Sequence, residues 1–177
     1  MHIARSCRTE RGMTLIEILV VVVIIGILAI IATLSISLLG EDRELERESG
    51  RLSDAIALLQ EQSQLEGRDY GISLEPTRYE FMRFDNFEQR WTAVEGDAAL
   101  APRELPPELV IELVIEGRPI LLRRVPMEEA RLPQLIAWGS GDMTPYRLTF
   151  RRKGGGRVTL VGSLEGFIEI ERGDEDR

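Results

Sequence analysis

The chain has 177 residues, with 30 acidic against 22 basic side chains, a net charge of −8, one cysteine and one histidine. That acidity argues against nucleic-acid binding, which relies on Lys and Arg to neutralise phosphate, and favours solubility and partner steering. His2 and Cys7 both precede Gly12, so the remainder of the chain can form no intrachain disulfide, histidine-based triad or histidine metal site.

In chain order, residues 1–12 form a short basic leader, with Arg5, Arg8 and Arg11 against Glu10. Residues 13–39 follow as an apolar run, MTLIEILVVVVIIGILAIIATLSISLL, in which Glu17 is the only charge. A run of this length can span a bilayer as a helix. Basic residues stay cytoplasmic, and the far flank reads Glu41, Asp42, Arg43, Glu44, so the C-terminal part is expected across the membrane. An ordinary secretory signal places its cleavage site after the apolar region. Here the small residue, Gly12, precedes it, and a cut at Gly12 would remove the leader while keeping the helix. Glycine also lets a protease approach the backbone closely. Glu17, five positions later, needs a reason, because a charge at a membrane-helix centre costs about 2.5–3.5 kcal/mol. Near the end of the span the cost is smaller, since the side chain can reach the headgroups.

Residues 40–67 continue the helix in amphipathic form. Leu45, Leu52, Ile56, Leu59 and Ser63 fall near one face, with charges opposite, and the stripe reads as core packing. Proline is absent from Met1 to Glu75, and Gly67 is a suitable C′ terminator. One helix is therefore expected from about Thr14 to Glu66, roughly 80 Å long at 1.5 Å per residue.

After Gly67 the pattern changes to period two. Strands are expected at 70–74 and 79–84 around a turn at 75–78, and more weakly at 89–94. Two more, at 109–115 and 120–125, flank a hairpin turn at 116–119. The remaining ones are expected at 135–138, 146–151, 158–161 and 167–170. Gly154, Gly155 and Gly156 form a turn, and residues 96–107, with Pro102, Pro106 and Pro107, read as a loop. The fold class is α+β: a long N-terminal helix, its first half transmembrane, followed by an antiparallel β-sheet or sandwich domain over residues 68–177. Candidate chemistry is thin. Trp138-Gly139-Ser140-Gly141-Asp142 resembles a nucleophile elbow but lacks its spacing and a base, and reads as a turn. Arg151, Arg152 and Lys153 read as a solvated hairpin tip. Glu128 and Glu129 lack calcium-loop spacing. No enzyme activity, cofactor or metal is expected.

The junction of Gly12, Met13, Thr14, Leu15, Ile16 and Glu17 with an unbroken aliphatic span, behind an Arg-rich leader, resembles the class III signal of type IV pilins and type II secretion pseudopilins. The resemblance implies cleavage after Gly12 by a prepilin peptidase, N-methylation of Met13 (where the family more often has Phe), and a role for Glu17 in assembly. Residues 43–68, Leu105-Pro106-Pro107-Glu108-Leu109, and the run from Leu135 through Thr144-Pro145-Tyr146-Arg147-Leu148 are similar to the H-type minor pseudopilin of type II secretion. Gly166-Phe167-Ile168 matches that family's ending with Phe in place of Arg. The implied protein is a structural subunit of a periplasmic pseudopilus that drives protein export across the outer membrane. It would sit in the inner membrane, single-pass, with its C-terminal domain in the periplasm. The implied partners are the major pseudopilin and the I, J and K type minor pseudopilins. Two alternatives stand beside it: a minor type IV pilin priming an adhesion or DNA-uptake pilus, and a signal-anchored periplasmic protein that never polymerises.

Overall fold

The structure, a computed structural model, describes residues 15–126 and 131–173, and of 29–42 the backbone only. A single helix, α1, runs Leu15–Glu66. It stops where expected. Gly67 adopts φ 60°, and the Arg68 amide donates to Ser63 O at 3.1 Å, which caps an otherwise open carbonyl in a Schellman geometry. The chain divides between Glu41 and Asp42 into two compact units.

In the first unit, every side chain described, Leu15 through Leu28, is exposed. Among the described residues no helix is long and apolar enough to cross a membrane. The apolar run at 13–39 extends past those side chains in both directions.

The described residues of the second unit hold ten strands: β1 Tyr70–Glu75, β2 Arg78–Asp85, β3 Arg90–Ala93, β4 Arg103–Glu104, β5 Leu109–Ile115, β6 Arg118–Ile120, β7 Leu135–Ala137, β8 Tyr146–Arg152, β9 Arg157–Gly162 and β10 Ile168–Gly173. They form two five-stranded sheets, ordered β3-β2-β1-β7 with β4 also on β2, and β10-β9-β8-β5-β6. Every pairing is antiparallel. One core joins the α1 stripe to both sheets, with Leu52, Ile56 and Leu59 beside Ile72, Leu74 and Phe81 of one sheet and Ile111, Leu148 and Phe150 of the other. The stripe at 45–63 is therefore core, as its spacing implies: Leu45, Leu52, Ile56, Leu59 and Ser63 are all buried.

Three details depart from the period-two reading. All six residues of β1 are buried, because its second face is covered too. A Cβ on Gly71 would lie 2.5 Å from Pro133 and 3.1 Å from the Trp91 ring. The expected loop at 96–107 contains β4, tied down by the Leu105 amide to Thr77 O at 2.8 Å and by the fully buried Leu100. The expected strand at 120–125 shrinks to β6, which begins at Arg118. Glu116 (φ 50°) and Gly117 (φ 75°) suffice as a two-residue I′-type turn, and Pro119 is tolerated because β6 is an edge strand.

Candidate functional site

Of the residues singled out in the sequence, Gly12 and Met13 lie outside the described residues. Glu17 occupies the first turn of α1, where a carboxylate is favoured by the helix dipole by about 0.3–1 kcal/mol. Its neighbours Leu15, Ile16, Ile18 and Leu19 are exposed by 85, 69, 46 and 57%. A helix apolar on every side is stable only in lipid or against other helices. Glu17 is the one charge on that surface, and an unpaired charge in such surroundings is costly. An opposite charge meeting it there would reduce that cost and fix where two helices sit. The described side chains at 15–28 thus form an apolar helical surface that carries one carboxylate.

The second unit presents a rigid body built on the distal half of α1. Glu48, 1% exposed, accepts two hydrogen bonds from Arg103, Nε to Oε2 at 3.1 Å and Nη2 to Oε1 at 2.5 Å. That pairing raises the Arg103 pKa further above its ordinary value. Gln60 Nε2 donates to Gly141 O at 3.0 Å and to Glu165 O at 3.2 Å, clamping two turns to the helix. A third polar cluster holds the segment leading into β7: Arg131 hydrogen-bonds Glu80 and lies 3.8 Å from Glu75. Sequence reasoning missed all three. Glu48 had a visible signal, since it falls on the apolar stripe between Leu45 and Leu52.

The weaker motifs resolve into structure. Residues 138–142 are a turn closed by Trp138 N to Asp142 O and Gly141 N to Trp138 O, both 2.9 Å. Gly154, Gly155 and Gly156 do form the β8–β9 turn, all at positive φ. The basic cluster before them is not simply a solvated tip. Arg151 pairs with Glu112 at 2.6 Å, and Arg152 is buried, its Nε donating to Gly155 O at 2.8 Å. The glycines turn the chain so tightly that the Arg152 stem lies against its own hairpin. Among the described residues no group of three or more His, Cys, Asp or Glu could hold a metal ion. Glu128 and Glu129 lie outside those residues.

Residues 7–33 match the prokaryotic N-terminal methylation motif. Over 174 residues the chain is 36% identical to the type II secretion system protein H of Pseudomonas aeruginosa, covering 93% of this chain and 99% of that one. The chain belongs to the type II secretion system protein H family. The protein H of Aeromonas hydrophila is 29% identical over 150 residues, covering 81% of this chain and 82% of its own length. The fold agrees with that of solved structures of low sequence identity. The minor pseudopilin EpsH of Vibrio cholerae superposes with a TM-score of 0.60 at 19% identity, over 73% of this chain and 97% of EpsH. The solution structure of Escherichia coli GspH gives 0.58 at 20% identity, over 77% and 94%. The family rests on the sequence relative, and the solved structures show the fold.

Proposed function

We propose that this protein H chain is a minor pseudopilin that anchors in the inner membrane by the helix at 13–39 and carries the 68–177 β domain in the periplasm. After removal of residues 1–12 it enters a periplasmic pseudopilus that drives export across the outer membrane. Its role is mechanical rather than catalytic. Apolar helices form the filament core, β domains decorate the outside, and the partners are the major pseudopilin and the I, J and K type minor pseudopilins. One observation carries the reading: Glu17 is the lone charge on an all-round apolar helix, five residues after Gly12, in a chain of the protein H family.

In this reading the prepilin peptidase cuts after Gly12 and methylates the new amine of Met13. The Glu17 carboxylate then pairs with the Met13 amine of a neighbouring subunit. Methylation leaves the amine basic, so the pair survives it. The pair forms only when one helix is staggered against the next, which sets the register. Intact mass of the membrane-extracted protein tests processing: a chain beginning at N-methylated Met13 is expected, and Gly12→Val should block the cut. Glu17→Leu tests assembly. It makes the span more apolar, so insertion and leader cleavage should continue while secretion and co-purification with the major pseudopilin fall. A Glu17→Leu chain that is cleaved and fully active in secretion would refute the pairing.

A further inference from the structure

Three arginines follow one another along the solvent face of α1. Arg43, Arg47 and Arg51 are all exposed and stand four residues apart, the spacing at which helix side chains are neighbours and like charges repel. The carboxylates placed to offset them are engaged elsewhere. Glu46, three residues after Arg43, accepts a hydrogen bond from Arg172 Nε at 3.2 Å. Glu48, three residues before Arg51, is the buried partner of Arg103. Glu44 and Asp54 remain within a turn, and among the described residues neither forms an ion pair with the three guanidiniums. In a chain of net charge −8 this is a local excess of positive charge left without counter-ions.

Arg47 and Arg51 form one end of a groove of about 500 Å³ that Asp54, Ala55, Leu58 and Ala99 complete. Its floor is apolar, with Ala55 buried and Leu58 packed against the core. Ala99, between β3 and β4, supplies the second wall. Its amide donates to Asp97 Oδ1 at 2.8 Å, and Asp97 Oδ2 accepts from Gln62 Nε2 of α1 at 3.2 Å. That wall is fixed to the helix in advance, so little freedom is lost on docking. Charge is graded along α1, with Arg43, Arg47 and Arg51 beside Glu44 at one end and Asp54 and Glu61, near Asp97, at the other. A second copy is a poor mate for this face. Two copies side by side in register set arginine against arginine, and a shift of one heptad sets Asp54 against Glu61 and Arg51 against Leu58. An antiparallel pair brings Arg51 to Glu61, but chains inserted in one membrane from the same side cannot run α1 in opposite directions. Glu112 and Glu171, exposed on the outer sheet, are already paired with Arg151 and Arg147.

We propose that the Arg47, Arg51, Leu58 and Ala99 groove is the docking surface for a different filament subunit, one that presents two carboxylates beside an apolar side chain. The carboxylates meet Arg47 and Arg51, whose planar guanidiniums accept a carboxylate in two-point fashion, and the apolar side chain covers Leu58 and Ala99. The inference rests on the filament-subunit reading above and adds the surface and the chemistry of the partner.

The test uses the full-length chain, extracted from membranes in mild detergent, with co-purifying pilin-type subunits identified and quantified by mass spectrometry. The Arg47→Glu/Arg51→Glu double variant should capture about tenfold less of the heterologous subunit. Arg118→Glu, which reverses an exposed charge on the β6 edge, should leave capture unchanged. Both groove arginines are exposed, so the thermal midpoint should not fall, and that measurement excludes a folding defect. A benzophenone side chain at position 99, which lines the groove without carrying charge, should crosslink to the other subunit beside Asp or Glu. Changing those carboxylates to Lys should restore capture by the double variant, a rescue that a merely structural role would not give. Equal capture by the double variant and the unaltered chain overturns the docking surface alone. Crosslinks from position 99 only to a second copy of this chain, or only to phospholipid, also overturn it. An unaltered chain that captures no other pilin-type subunit overturns both this proposal and the reading on which it rests.

Discussion

Glu48 and Arg103 show how a single buried charge organises the second unit. The carboxylate lies on the apolar stripe of α1, is 1% exposed, and is satisfied by a two-point contact from β4. Breaking such a pair costs more than the pair contributes, because the remaining ion is left unpaired in a poorly solvated place. Arg103 is partly exposed, so water offsets some of that cost. Arg103→Ala should therefore destabilise the unit by about 2–3 kcal/mol, read from urea unfolding. Replacing both partners with Met should restore much of the loss. A double variant no more stable than Arg103→Ala would remove this explanation. The tyrosines give a pH prediction. Burial pushes the Tyr146 and Tyr79 phenols above their ordinary value of 10.0, and Tyr70 is raised by burial and by its bond to Glu66. A folded-state pKa above the unfolded one means the unfolded chain deprotonates first. The stabilisation is complete below about pH 10 and is lost as the pH rises past it. The Tyr146 hydroxyl is buried and has no hydrogen-bond partner among the described residues. Tyr146→Phe should thus be neutral or slightly stabilising at pH 7 and should reduce the alkaline loss of stability, measured as thermal midpoint against pH.

At the scale of elements, legibility followed local chemistry. α1 could be read to its last residue, because a core stripe at helical spacing ends on a glycine that supplies the positive φ of the cap. β5 matched residue for residue, since Leu109, Ile111 and Leu113 alternate with less buried neighbours. Two-sided burial hid the nature of β1, whose second face is covered by Pro133 and Trp91, residues distant in sequence. β4 was illegible because a two-residue strand carries no periodicity, and its pairing to Arg78 and Tyr79 is a tertiary fact. The candidate site divides the same way. Glu17 stands out because a charge in an apolar run is a local anomaly, whereas the Gln60 clamp depends on two turns separated from it by 81 and 105 residues. The glycine at one of those turns can be tested. Gly166 has φ 83° and no room for a Cβ against Gln60. Gly166→Ala should displace the β9–β10 turn and cost about 1–3 kcal/mol through strain and the lost clamp. Gly154→Ala, also at positive φ but with open space beside it, should cost less. Equal costs at the two positions would mean that backbone strain alone matters and the clamp does not.

Across the whole molecule, two units of opposite solvent preference share one chain. The described side chains at 15–28 are exposed and almost wholly apolar, while the unit from Asp42 onward buries its own core between α1 and two sheets. Such a core needs nothing from the N-terminal segment. Its helix is capped at Gly67, and all its strand pairings are internal. The single cysteine, Cys7, lies upstream of the division, so no covalent crosslink contributes to the stability of the second unit. A fragment beginning at Asp42 should therefore be soluble, unfold in one cooperative transition, and give a circular dichroism spectrum with both helix and β contributions. Its thermal midpoint should be the same with and without reductant. Loss of the helical signal in the fragment would show that the N-terminal segment is required to nucleate α1. Aggregation on removal of the first unit would show that the second unit does not fold independently of it. The same fragment carries neither Gly12 nor Glu17, so association through the β unit can be measured separately from association through the helix.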